Sequence, residues 1–97
     1  MHIINNVEFE WDDAKAARNL RIHRVSFDEA MTTFNDPLAL IHADEDHSNK
    51  EARFMLLGMS RAGRLLMTVF VGRGEGIRII SSRRATRREV KGYEKGV

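Results

Sequence analysis

The twelve residues from Arg78 to Glu89, RIISSRRATRRE, hold five arginines and the densest potential chemistry in the chain. Guanidinium groups stay charged at any physiological pH, and their planar fork matches phosphate oxygens. On a strand, Arg78, Ile80 and Ser82 face one way while Ile77, Ile79 and Ser81 face the other. An arginine inside so apolar a strand is costly unless it reaches solvent or a counter-charge, so Arg78 is expected on an open or concave face. Glu51 and Arg53, two apart on another strand, also share a face, and the expected picture groups Glu51, Arg53 and Arg78 on one side of a sheet. A surface salt-bridge patch is the plainer reading of the same three residues. Arg83, Arg84, Arg87 and Arg88 crowd the start of a helix, where free backbone N–H groups already favour anions, and this reads as a phosphate site.

Proton-transfer candidates are fewer. His23 falls at the end of a helix, where the carbonyl end of the dipole favours imidazolium; it reads either as a C-terminal cap or as a ready general acid. Asp44, Glu45, Asp46 and His47 form a local cluster with three open readings: a hard-cation site, a solvated loop, or a setting in which His47 serves an active site without metal. His2 and His42 offer only a terminus and a strand position. Gly72, Gly74 and Gly76 lack a following Lys-Ser or Lys-Thr pair and precede a strand, so they mark a hairpin turn, not a phosphate loop.

Charge is unevenly spread. The net charge is +2, yet residues 1–72 carry 8 Lys and Arg against 11 Asp and Glu, and residues 73–97 carry 8 against 3. The basic C-terminal quarter suits a nucleic-acid backbone or an acidic protein partner. The absence of cysteine excludes a thiol nucleophile, a disulfide framework and a cysteine zinc site, and it fits a reducing compartment. With no long apolar run and no signal-peptide pattern, a cytoplasmic location away from membranes is expected.

The elements that must position these groups follow from periodicity. Ninety-seven residues read as one domain, 1–97. Val7 to Trp11 alternates apolar and acidic, the pattern of a half-buried strand with Phe9 and Trp11 inward. Asp12 caps a helix running to about His23. Ser26 and Glu29 form an expected capping box for a second helix carrying Phe27, Ala30, Met31 and Phe34, ended by Asn35-Asp36-Pro37. Strands are expected at 38–42, 51–59, 64–71 and 77–82, the middle two joined by a turn at Ser60-Arg61-Ala62-Gly63. Thr86 and Glu89 open a last helix containing Tyr93. The expected fold is therefore α+β: an antiparallel sheet with two N-terminal helices packed on it and a C-terminal helix.

Taken together and in order, several strings resemble the BrnT toxins, whose fold is similar to that of RelE-type ribonucleases. These are Phe9-Glu10-Trp11-Asp12 with Lys15 and Asn19, His23 with Val25-Ser26-Phe27, Asp36-Pro37, Asp46-His47-Ser48 with Glu51, Arg53 and Gly58, and RIISSRRATRRE with Tyr93. Two departures stand out where Ile22-His23-Arg24 replaces the family's Lys-His-Gly: Ile22 removes a cation beside His23 that Arg21 and Arg24 could replace, and Arg24 occupies a position where a left-handed backbone is expected, at a cost of about 1 kcal/mol. Ser82 stands where alanine is usual.

The resemblance implies the toxin of a type II toxin–antitoxin pair, a metal-independent and cofactor-free endoribonuclease that cleaves RNA by 2′-hydroxyl attack. Arg53 and Arg78 would stabilise the scissile phosphate, His23 or His47 would be the general acid, and Glu51 would be the base or would orient an arginine. Lys15, Arg83 and Arg84 would hold flanking phosphates, and Tyr93 would stack a base or position Arg83. The implied partner is a BrnA-like ribbon-helix-helix antitoxin in a 2:2 complex that binds operator DNA through the antitoxin. The alternative is a non-catalytic module gripping nucleic acid or a partner through the basic C-terminal region.

Overall fold

The computed structural model describes residues 2–4, 6–45 and 51–96. A short strand that the sequence pattern does not reveal, β1 (His2–Ile4), pairs antiparallel with β2 (Val7–Glu10). Three residues are too few to display a period. Helix α1 (Asp13–His23) begins where the Asp12 carboxylate accepts the Lys15 N–H at 3.0 Å. It ends on Arg24, which adopts the left-handed conformation (φ 59°, ψ 30°) and donates its N–H to the Leu20 carbonyl. The arginine thus occupies the strained position that the resemblance assigns to glycine.

Helix α2 (Phe27–Thr32) is capped by the Ser26 hydroxyl, which accepts the Glu29 N–H at 3.0 Å. Only this half of the expected capping box forms, because the Glu29 carboxylate binds Arg64 and the Ser60 hydroxyl instead. The α-helix also stops short of Phe34. Thr32 and Thr33 donate their hydroxyls to the carbonyls of Glu29 and Ala30, each at 2.6 Å, and the chain tightens into a 3-10 turn, Thr33–Asn35.

Strands β3 (Leu40–Ala43), β4 (Arg53–Met59), β5 (Leu65–Arg73) and β6 (Gly76–Arg84) pair antiparallel in chain order, as their patterning predicts. The last element is α3 (Arg87–Lys95), where Thr86 and Glu89 do form both halves of a capping box. The six-stranded order is β1-β2-β6-β5-β4-β3. The expectation of an antiparallel sheet needs correction, since β2 runs parallel to β6, with Phe9 opposite Ile77 and Glu10 opposite Arg78. Alternation in a sequence records which face a residue takes; strand direction is set by the long connection between the pair, here α1, α2 and β3 to β5.

Helices α1 and α2 cover one face of the sheet. Phe9, Phe27, Ala30 and Ile79 form its buried centre, and edge-on rings link Phe9 to Phe34 and Phe34 to Phe70, each at 5.0 Å. Glycine is required at Gly58, where a Cβ would lie 2.9 Å from a Leu56 methyl and 3.0 Å from the Thr33 carbonyl of the 3-10 turn. Asn19 fastens α1 to the sheet: it is buried, its amide donates to the carbonyls of Val25 (2.9 Å) and Ser82 (2.8 Å), and its oxygen accepts the Ser82 N–H. The Ser82 hydroxyl lies 2.9 Å from that of Thr68, so each buried hydroxyl finds a partner.

Candidate active site

Among the described residues, helix covers the opposite face of the sheet at one end only. Residues opposite each other on neighbouring strands share a face, so the register places Arg83, Met67, Leu57 and Leu40 in one row. Helix α3 lies on this end, where Glu89 holds Arg83 through two bonds of 2.9 and 3.0 Å, and Leu57 and Met67 are buried. Each member of that ion pair moves the other: Glu89 is held below its ordinary range chiefly by the Arg83 guanidinium, and Arg83 is raised by Glu89. Tyr93 secures the far end of α3 by donating its hydroxyl to Asp36. The tyrosine hydroxyl therefore does not position Arg83; Glu89 does.

Beyond α3 no described helix covers the same face, and the register sets the expected arginines in one row there. One row reads Glu10, Arg78, Val71 and Arg53 across β2, β6, β5 and β4. Asp44 extends it, since its N–H donates to the Arg53 carbonyl at 2.8 Å and carries the β3 pairing one residue further. With strands about 4.8 Å apart, the Cα atoms of Arg53 and Arg78 are about 10 Å apart on either side of Val71. Val71 is only 3% exposed. Arginine stems cover apolar surface while their charged ends remain in water, and this row has that form. Arg78 also has an acid beside it, with Nη1 3.7 Å from Glu10 Oε1.

Glu51 lies one row further out. It does not pair with Arg53 or Arg78 but with Arg73, at 2.7 Å from Nε and 3.1 Å from Nη2. Glu51 thus sits with Arg73 in the row next to Arg53, and the acid beside Arg78 is Glu10. It comes from a strand whose parallel docking the pattern could not reveal.

On the helix side of Arg78 the face turns into a cleft of about 310 Å³, lined by Lys15, Arg18, Asn19, Ile22 and His23 of α1 and by Ile80 and Ser81 of β6. It opens where β6 is irregular, since Val69 pairs with Ser81 and Phe70 with Ile79, leaving Ile80 as a bulge. Lys15 and His23, expected to serve RNA, are brought together here and both are exposed. Asp12, three residues before Lys15, has its carboxyl lowered chiefly by the Lys15 N–H, with smaller contributions from the Lys15 and Arg78 charges.

Arg84 is not part of this surface. It is opposite Leu66 on the helix-covered face, near Glu29, so Arg83 and Arg84 point to opposite sides and do not form one phosphate clamp. His47 and Asp46 lie outside the described residues. His42, which the sequence pattern does not distinguish, stands opposite Met55 on the open face, two residues along β4 from Arg53. A cavity of about 510 Å³ lies elsewhere, at Thr32, Asn35, Asp36, Met59, Ser60 and Arg61.

Two basic residues converging on an open sheet face, with further cations in an adjoining cleft, is an arrangement suited to a phosphodiester. Residues 11–89 match the family model described as the ribonuclease toxin BrnT of type II toxin–antitoxin systems. The chain belongs to the BrnT family. BrnT members are ribonuclease toxins, so RNA is the substrate class and an antitoxin is the partner. The fold is similar to that in a 1.1 Å crystal structure of the Brucella abortus ribonuclease toxin BrnT, with a TM-score of 0.64 and 19% identity over 84% of this chain and 99% of that one. A comparison with curated proteins gave no match. The BrnT match runs from Trp11, just after β2, into the start of α3, so Glu10 lies immediately before its first residue.

Proposed function

We propose that this chain is a BrnT endoribonuclease that cleaves RNA on the open face of β4, β5 and β6, by attack of a ribose 2′-hydroxyl on the adjacent phosphate. The observation that carries the reading is the row in which Arg53 and Arg78 flank buried Val71 beyond the reach of α3. A phosphate above Val71 meets a guanidinium from each side, and the extra negative charge of the pentacoordinate transition state develops between them. These cations supply the charge stabilisation that a metal provides in other nucleases, so the reaction runs without a metal cofactor. Lys15 and Arg83 contact flanking phosphates, Arg83 with its guanidinium already fixed by Glu89. His23, in the adjoining cleft, or His47 protonates the leaving oxygen. Glu51 acts by orienting Arg73.

Such an enzyme must be restrained in the cytoplasm where its RNA lies. The partner that fits family membership and the basic C-terminal quarter is a ribbon-helix-helix antitoxin of the BrnA kind. It covers the open face in a 2:2 assembly and contacts operator DNA for both proteins. The mass of the co-purified complex tests the stoichiometry.

Purified chain incubated with RNA in EDTA tests the reaction. The expected products carry a cyclic or 3′ phosphate and a 5′ hydroxyl, and activity falls as salt rises because phosphate contacts release counterions. Arg53→Ala and Arg78→Ala should each lose roughly 10²–10³-fold in rate, the range for a removed charge stabiliser. Products ending in a 3′ hydroxyl, formed only with Mg²⁺, would overturn the reading and direct attention to the segment from Asp44 to His47.

A further inference from the structure

We propose that Glu10 is the general base that takes the proton from the attacking 2′-hydroxyl. This rests on the reading of the Arg53–Arg78 face as the cleavage site. Three observations support it. The parallel register of β2 on β6 sets Glu10 directly opposite Arg78 on the open face, with 3.7 Å between Oε1 and Nη1. The Glu10 side chain is half-exposed, and no hydrogen bond from a described residue fixes its carboxylate, so an oxygen is free to accept a proton from a bound ribose. The other carboxylate expected near these arginines, Glu51, is held at two points by Arg73.

The charged groups around Glu10 suit the task. Arg78 faces it from β6, Glu8 lies two residues away on its own strand and face, Arg73 shares a small cavity with both acids, and Asp12 follows at the start of α1. In the free protein Arg78 is the cation beside the Glu10 carboxylate. When a phosphate engages Arg78, that guanidinium is shared, and the carboxylate is left beside the sugar attached to that phosphate.

The step balances as follows. A Glu10 oxygen accepts the 2′-hydroxyl proton while O2′ forms a bond to phosphorus. The bond from phosphorus to O5′ breaks, O5′ leaves with the bonding pair, and it takes a proton from the site's general acid. The products are a 2′,3′-cyclic phosphate and a 5′ hydroxyl, and the proton on Glu10 returns to water.

The test compares wild type, Glu10→Gln, Glu51→Gln and Arg78→Ala for cleavage of one RNA across pH 4 to 9, with RNA affinity measured alongside. In wild type, kcat/KM should rise through an acidic limb as one carboxyl ionises. Glu10→Gln should lose roughly 10²–10⁴-fold in rate and lose that limb, while binding RNA at least as tightly because a negative charge has gone. Glu51→Gln should retain the limb. Glu10→Gln cleaving at the wild-type rate, or losing rate equally at every pH with the limb intact, overturns the inference and leaves the site standing if Arg78→Ala is inactive. If Arg78→Ala cleaves like wild type, the site itself is misplaced and the inference fails with it.

Discussion

The hydroxyl of Tyr93 in α3 donates to Asp36 Oδ2 at 2.6 Å, across 57 positions of sequence. The same carboxylate accepts the N–H of Met59 at the end of β4 (2.8 Å) and, through Oδ1, that of Leu38 (2.9 Å). One aspartate thus joins the turn before β3, the end of β4 and the helix that bounds the open face. Burial pushes Asp36 up, but the Tyr93 hydroxyl and the two N–H donors outweigh it and hold the carboxyl below its ordinary value of 3.8. Tyr93 is raised to about 12, first by the hydrogen bond to Asp36 and then by burial.

Tyr93→Phe should therefore destabilise the chain at pH 7 by about 1 kcal/mol, the usual net worth of one hydrogen bond. Because the folded value of Asp36 lies below the unfolded one, its contribution is complete above about pH 4 and fades as pH falls through the folded value. The gap between wild type and variant should narrow in acid. Urea unfolding at pH 7 and pH 3 measures it, and an equal gap at both would show that Asp36 is not the partner that matters.

Phe9 and Trp11 should differ in cost. Phe9 is 1% exposed at the centre of the core, whereas Trp11 is half-buried with its ring edge-on to Phe27 at 5.8 Å. Phe9→Ala should cost about 3–5 kcal/mol and Trp11→Ala about 2 kcal/mol. Thermal melts of the two variants give the order directly, and a larger loss for Trp11→Ala would contradict the packing described.

Arg24→Gly should raise stability by about 1 kcal/mol, since glycine adopts the left-handed conformation without Cβ strain. The contact between Arg64 Nη2 and the Arg24 carbonyl (3.0 Å) uses only backbone at that position and should survive. A lower melting temperature would mean that the arginine side chain has a favourable contact that outweighs its strain.

Asn19→Leu should be among the most damaging polar substitutions, at about 3 kcal/mol. It strands the Ser82 N–H and the carbonyls of Val25 and Ser82 in a buried setting. Ser82→Ala, which leaves the Asn19 bonds in place, should cost about 1 kcal/mol. Equal costs measured by denaturant unfolding would argue against Asn19 as the fastening between α1 and β6.

The family strings in the sequence, in order, specified the fold and the kind of enzyme, and the local patterns specified most elements. Asp12, Ser26 and Thr86 mark true helix starts because a cap involves only residues three or four apart. The alternation in β2 put Phe9 inside and Glu8 and Glu10 outside, and the gathering of Arg53 and Arg78 on one face followed from strand period. What these patterns lack is any record of which strands become neighbours. The parallel docking of β2 on β6, reached only after the chain has passed through α1, α2 and β3 to β5, brings Glu10 to Arg78, while the β4–β5 register leaves Glu51 to Arg73. Likewise, Glu29 abandons its local capping bond because Arg64, 35 residues away, offers a full opposite charge in place of a neutral backbone N–H. A local motif states what a side chain can bind; only the tertiary structure supplies the competing partner, and the stronger electrostatic partner wins.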